Sequence, residues 1–117
     1  MHELGLVVEV VEIVERVARE NKIGQVGKVV LDVGEMYYIV PNIMRSVYRS
    51  AIKGTVLEGS ALEMNFIPAS ARCRSCETVF NPLEADGICP SCGESDYEVT
   101  GGKEFEIRQI EAAAAQI

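Results

Sequence analysis

The four cysteines and the one histidine of this sequence have the chemistry to hold a transition metal, and they fall in two places. Cys73-Arg-Ser-Cys76 and Cys89-Pro-Ser-Cys92-Gly93 form two C-x-x-C pairs separated by 12 residues. His2 is the sole histidine and stands one residue from the start. Two C-x-x-C turns that face each other present four thiolates as a tetrahedron, which zinc accepts without redox chemistry. Gly93 suits a tight knuckle in which backbone N–H groups approach sulfur. Four thiolates close the coordination sphere, so the expected role is structural. The same donors suit iron in a rubredoxin-like site.

His2 offers different chemistry. Methionine is retained before a bulky second residue, so the α-amine is expected to belong to Met1. That amine, with a pKa of ~7.7–8.0, yields its proton to a metal. The amine, the His2 amide nitrogen and the imidazole close adjacent chelate rings. Such in-plane nitrogens favour Ni(II) or Cu(II). Glu3 adds a further amide and a carboxylate. No Ser/His/Asp or Cys/His catalytic set can be assembled around one terminal histidine and paired cysteines. The chain has no P-loop either, so an enzyme is not expected.

The elements that must position these groups are legible in the apolar spacing. Residues 3–20 read as an amphipathic helix with a stripe of Leu4, Val7, Val11, Val14 and Ala18, widened by Val10 and Val17. Glu12–Arg16 and Glu15–Arg19 are i,i+4 pairs, and Asn21 and Gly24 are candidate stops. Glu9, Glu12 and Glu15 form a solvated face. QVGKVVLDVG, residues 25–34, reads as a strand. A second helix is expected from Pro41 to Lys53, with Met44, Val47, Tyr48, Ala51 and Ile52 inward and Gly54 at its end. ALEMNFI, residues 61–67, alternates Leu62, Met64 and Phe66 inward. KEFEIRQI, residues 103–110, is another strand. Met44 and Met64 are expected in the core rather than on a metal, and Tyr37 and Tyr38 in a turn flanked by packed aromatics.

Between these strands, residues 69–100 contain few apolar side chains and need a staple. The predicted fold class is α+β. A small sheet of about three strands packs with two helices, and a zinc-ribbon-like four-cysteine module is inserted. The expected division is 1–68 plus 101–111 for the α+β domain and 69–100 for the zinc domain, with 112–117 a flexible tail.

The charge balance narrows the partners. The net charge is −7, which opposes a phosphate-backbone interface. No apolar run nears the ~20 residues of a membrane span, and no secretory signal is visible. A cytoplasmic protein without nucleic-acid or membrane partners is expected.

MHEL at the start, DVGE at 32–35, KGT-x-x-EG-x-x-LE at 53–63, CRSC, CPSCG and GGKEFEI together resemble the HypA/HybF family of hydrogenase nickel-incorporation proteins. The resemblance spans residues 1–111. It implies a nickel metallochaperone with Ni(II) as transient cargo at Met1, His2 and Glu3, and structural Zn(II) at Cys73, Cys76, Cys89 and Cys92. It also implies a nickel-handling GTPase of the HypB type and a [NiFe]-hydrogenase large-subunit precursor as partners. Urease is a further client of the family, and the chain itself would be a monomer or homodimer. Two positions depart from the pattern. Gly5 stands where the family has Ala or a small polar residue, at a helix cost of ~1 kcal/mol relative to Ala. Met36–Val40 lacks the carboxylate that some members carry beyond the Gly-Glu turn. The alternatives are a zinc-ribbon interaction or nucleic-acid adaptor, which the charge disfavours, and a rubredoxin-like electron carrier, which leaves MHE unexplained.

Overall fold

A computed structural model of the chain describes residues 2–114. The amine and side chain of Met1 lie outside the described residues, as do the imidazole of His2 and residues 115–117. The element order is α1 (His2–Glu20), β1 (Val26–Gly34), a 3-10 turn (Glu35–Tyr37), α2 (Pro41–Ala51), β2 (Ala61–Ile67), β3 (Ser70–Cys73), β4 (Val79–Phe80), β5 (Tyr97–Gly101) and β6 (Phe105–Ala112). Two three-stranded sheets form, in orders β2-β1-β6 and β4-β3-β5. The α+β class and the two helices agree with the sequence reading, and the last strand, β6, pairs beside β1.

The chain divides into two compact units. One comprises residues 1–31, 39–64 and 107–117, and the other residues 32–38 and 65–106. In the first, Val7, Val10, Val11, Val14 and Ala18 of α1 are buried, as are Met44, Tyr48 and Ile52 at α2, with Val29–Leu31, Leu57 and Met64. Both methionines are thus core residues. Burying one such side chain stabilises by roughly 1.5–3 kcal/mol, so this helix pair holds its own unit.

Leu4, read as part of the inward stripe, is 48% exposed, while Glu3 is 8% exposed. Only the first position of the stripe differs, and Glu3 can be buried there because its Oε2 accepts the Val40 N–H at 3.4 Å. Val40 is the N-cap of α2, followed by Pro41 at the first helical position. The end of α1 also differs from expectation. Lys22, and not Gly24, takes the left-handed conformation (φ 55°). Ile23 N–H donates to Ala18 O and Lys22 N–H to Arg19 O, the two bonds of a Schellman cap. No ion pair closes for Glu12–Arg16 or Glu15–Arg19 among the described residues. Lys28 instead pairs with Glu63 of β2 at 3.9 Å and Glu111 of β6 at 3.3 Å, as the central position of β1 requires. Ala113 N–H donates to Gln25 O at 2.9 Å, so backbone pairing continues past Ala112.

In the second unit, β3 is the middle strand. It pairs antiparallel with β4 (Ala71↔Phe80) and with β5 (Ala71↔Val99, Cys73↔Tyr97). Its core is Ala71, Cys73, Phe80 and Cys89, with Ala85 and Tyr97 packed against it. The Phe80 and Tyr97 rings meet edge-on at 5.6 Å. So small a core supplies little burial energy of its own. Tyr37 packs on Phe105 at 5.4 Å. Tyr38, however, is 66% exposed, with φ 55°, because it caps the 3-10 turn in the left-handed region. Phe66, expected inward, is 43% exposed. The first unit's share of β2 ends at Met64, so alternation continues in the backbone beyond the core that gave it meaning.

Candidate metal centre

The two cysteine pairs form knuckles of one design. In the first, Cys73 N–H donates to Thr78 O and Glu77 N–H donates back to Cys73 O, both at 2.9 Å. In the second, Cys89 N–H donates to Glu94 O at 2.8 Å and Gly93 N–H to Cys89 O at 2.9 Å. The residue after the second cysteine is left-handed in both, Glu77 at φ 64° and Gly93 at φ 79°. Gly93 fulfils its expected role. Glu77 occupies the matching position without glycine's freedom, which the sequence reading missed; the signal was its place one residue after Cys76.

The knuckles bring the four Sγ atoms within 4.8 Å of one another. Cys73 and Cys92 sulfurs are 3.5 Å apart, as are those of Cys76 and Cys89. All four cysteines are free. A tetrahedral ion with bonds of ~2.3 Å sets its sulfurs about 3.8 Å apart, so the cage fits zinc in size and in donor type. The inner member of each pair, Cys73 and Cys89, is buried, while Cys76 and Cys92 reach the surface.

Without a cation the two outer thiols, Cys76 and Cys92, are driven in opposite directions. The hydrogen bond between the Cys76 sulfur and the Thr78 hydroxyl, 3.1 Å apart, and a second from the Thr78 backbone draw the Cys76 thiol down to about 6. The Glu94 N–H pulls Cys92 the same way, but burial and the thiols of Cys73, Cys76 and Cys89 push it up to about 12. A divalent ion removes that mutual repulsion and favours all four thiolates.

A carboxylate outside the cysteines holds the segment between the knuckles. Glu35 Oε1 accepts the Ala69 N–H at 2.8 Å and Asn81 Nδ2 at 3.0 Å. Asn81 Oδ1 in turn accepts the Leu83 N–H at 2.9 Å, ordering the loop between Cys76 and Cys89. The two bonds to Glu35 hold its carboxyl below the usual value. Close packing surrounds this junction. A Cβ on Gly34 would strike the Gly102 carbonyl and come within 2.8 Å of the Glu104 nitrogen, and one on Gly102 would lie 2.6 Å from Ala69 Cα.

Of the N-terminal residues, only Glu3 has a described side chain, directed at Val40 as above. α1 begins at His2. Gly5 lies within it, and a methyl group there would meet nothing within 4 Å, so no contact requires glycine. No helix among the described residues is long and apolar enough to cross a membrane.

Comparison with known proteins agrees over the full length. A family model described as "Hydrogenase/urease nickel incorporation, metallochaperone, hypA" matches residues 1–112. The chain is similar to proteins named "Hydrogenase maturation factor HypA". It is 38% identical to that of Trichodesmium erythraeum over 112 residues, covering 95% of each chain. It is 36% identical to that of a Nostoc species over 111 residues, again covering 95% of each. The solution structure of the Ni metallochaperone HypA from Helicobacter pylori shares the fold, with a TM-score of 0.66 at 24% identity over 98% of this chain and 100% of that one. A second HypA solution structure gives 0.70, also at 24% identity, over 98% of each chain. With its helix pair, its two small sheets and a four-cysteine cage built on matched knuckles, this chain belongs to the HypA family of hydrogenase and urease nickel-incorporation metallochaperones.

Proposed function

We propose that this chain carries Ni(II) at its N-terminus and delivers it to a [NiFe]-hydrogenase large-subunit precursor, acting as a carrier and not as a catalyst. The ligands are the Met1 amine, His2 and the Glu3 region. The observation that carries this reading is the family match from residue 1, with Met-His-Glu at the head of a helix that starts at His2. The four cysteines hold Zn(II), which supplies a cross-link for the second unit. The closed thiolate set leaves no position for cargo. A HypB-type GTPase works with the chain in the cytoplasm and docks on the exposed face of α1 that bears Glu9 and Glu12. Urease maturation is a second destination that the same chemistry serves.

The test is nickel titration of untagged protein with metal analysis. About one Ni(II) per chain is expected. His2→Ala should abolish nickel binding with zinc content intact, and acylation of the Met1 amine should do nearly the same. Protons compete for these nitrogens, so affinity should fall as pH drops through the reference values of ~7.7–8.0 for the amine and ~6.5 for imidazole. Undiminished affinity in His2→Ala would overturn the site. Iron in place of zinc would reassign the cysteine cage to electron transfer.

A further inference from the structure

The cations of this acidic chain are not evenly spread. There are 11 Lys and Arg against 18 Asp and Glu, yet residues 36–57 contain Arg45, Arg49 and Lys53 and no carboxylate. All three cations are exposed. Lys28 is neutralised by Glu63 and Glu111, Arg72 by Glu77 and Glu98, and Arg74 by Asp96 and Glu98, whereas Arg16, Arg19, Lys22 and Lys103 stand in stretches that also carry carboxylates. Arg45, Arg49 and Lys53 form no ion pair with any described residue.

The three also border one depression. A groove of about 150 Å³ is lined by Arg45, Tyr48, Arg49, Ile52, Ser60 and Leu62 among others. It adjoins an open one of about 520 Å³ lined by Arg49, Ile52, Lys53, Glu58, Gly59 and Ser60. Arg49, Ile52 and Ser60 are common to both, so the cations rim a continuous trough. Its floor is fixed: Tyr48 Oη and Ser60 Oγ bond each other at 2.6 Å, and Ile52 is buried. The one carboxylate at the rim, Glu58, accepts the Gly54 N–H through Oε1 at 2.7 Å, which holds it against the backbone.

We propose that this trough at the C-terminal half of α2 is a docking surface for an Asp/Glu-rich segment of a partner protein. Charge complementarity selects that occupant. Unpaired cations left in a row around a groove match carboxylates presented in sequence along an extended segment. A nucleic acid is the wrong polyanion. It extends beyond three cations onto a surface that is otherwise strongly acidic, and its affinity scales with the number of phosphates neutralised. The surface is distinct from the N-terminus, and the inference does not depend on nickel being bound there.

The experiment uses the full chain, 15N-labelled and zinc-loaded, titrated with a decaglutamate peptide. Amide shifts should concentrate at residues 45–60, and binding should weaken as salt screens the pairs. Arg45→Gln/Arg49→Gln/Lys53→Gln should bind about tenfold more weakly, as loss of three exposed ion pairs implies. Arg45→Lys/Arg49→Lys should retain binding. Arg16→Gln/Arg19→Gln, which removes nearly the same charge from the end of α1, should leave it unchanged. All substituted side chains are exposed, and spectra of the free variants report their folding. Equal loss in the α1 variant would reduce the effect to net charge and overturn the proposal. So would shifts centred elsewhere, tighter binding of a DNA duplex than of the peptide, or a wild-type dimer that the triple variant dissolves.

Discussion

Glu3 Oε2 lies 3.4 Å from the backbone nitrogen of Val40, so the third residue of the chain is fastened to the residue that opens α2. One carboxylate oxygen is thereby committed to the fold.

Glu3→Gln keeps an oxygen to accept the Val40 N–H, whereas Glu3→Ala removes it from a nearly buried position. Stability should therefore fall by about 1 kcal/mol in the alanine variant and little in the glutamine variant, as read by urea denaturation. Nickel affinity should drop less in Glu3→Gln than in His2→Ala. An equal drop would make the carboxylate itself an indispensable ligand.

The cysteine cage makes a graded prediction. Either Cys73→Ser or Cys92→Ser should lose zinc and unfold the second unit while the helices of the first persist, because small zinc modules draw ~10–16 kcal/mol of apparent binding energy from the metal. Cys73 also belongs to the small apolar core. Its hydroxyl replacement carries a burial cost of about 1 kcal/mol or more that exposed Cys92 escapes. Metal analysis with NMR spectra of both variants, with and without zinc, checks this order.

Glu35 sets a pH dependence whose sign is fixed by its two donors. Its carboxyl is held below the ordinary value of 4.5. The stability it contributes is complete above that value and is lost as pH falls through the lower folded-state value. Wild type should exceed Glu35→Gln in stability at pH 6, and the gap should narrow below pH 4.5. The Ala69 amide and the Asn81 side-chain amide should shift over the same interval in NMR spectra, with zinc content followed in parallel.

The matched knuckles predict opposite effects from opposite substitutions. Glu77→Gly relieves a left-handed non-glycine residue and should stabilise the second unit by about 1 kcal/mol, less the weak exposed pair with Arg72. Gly93→Ala places a side chain in the same backbone conformation and should destabilise by a similar amount. Denaturation of the zinc-loaded proteins measures both.

Much of this was legible in the order of residues, for reasons that differ between the two units. α1, β1 and α2 declare themselves because each buries an apolar face, and the spacing of Val7, Val14, Met44 and Tyr48 records that burial. The burial of Glu3 escaped notice because a hydrophobic count passes over a carboxylate; only the position of Val40 explains it. In the second unit the cysteine spacing announced the cage, but β3, β4 and β5 did not stand out. Strands as short as Val79–Phe80 are pinned by knuckle hydrogen bonds and neighbouring thiols, so they need no alternation, and Val79 can be 67% exposed. Glu35 was visible only as part of DVGE. Its bond to Asn81 joins residues 46 apart in sequence, which no local pattern encodes.

The alternation of buried and exposed cysteines has a consequence for how the cage ages. Cys76 and Cys92 face water, while Cys73 and Cys89 are sealed behind Phe80 and Tyr97. Chelators and oxidants should therefore meet one sulfur of each pair first, and with zinc bound the loss of metal should begin at Cys76 and Cys92.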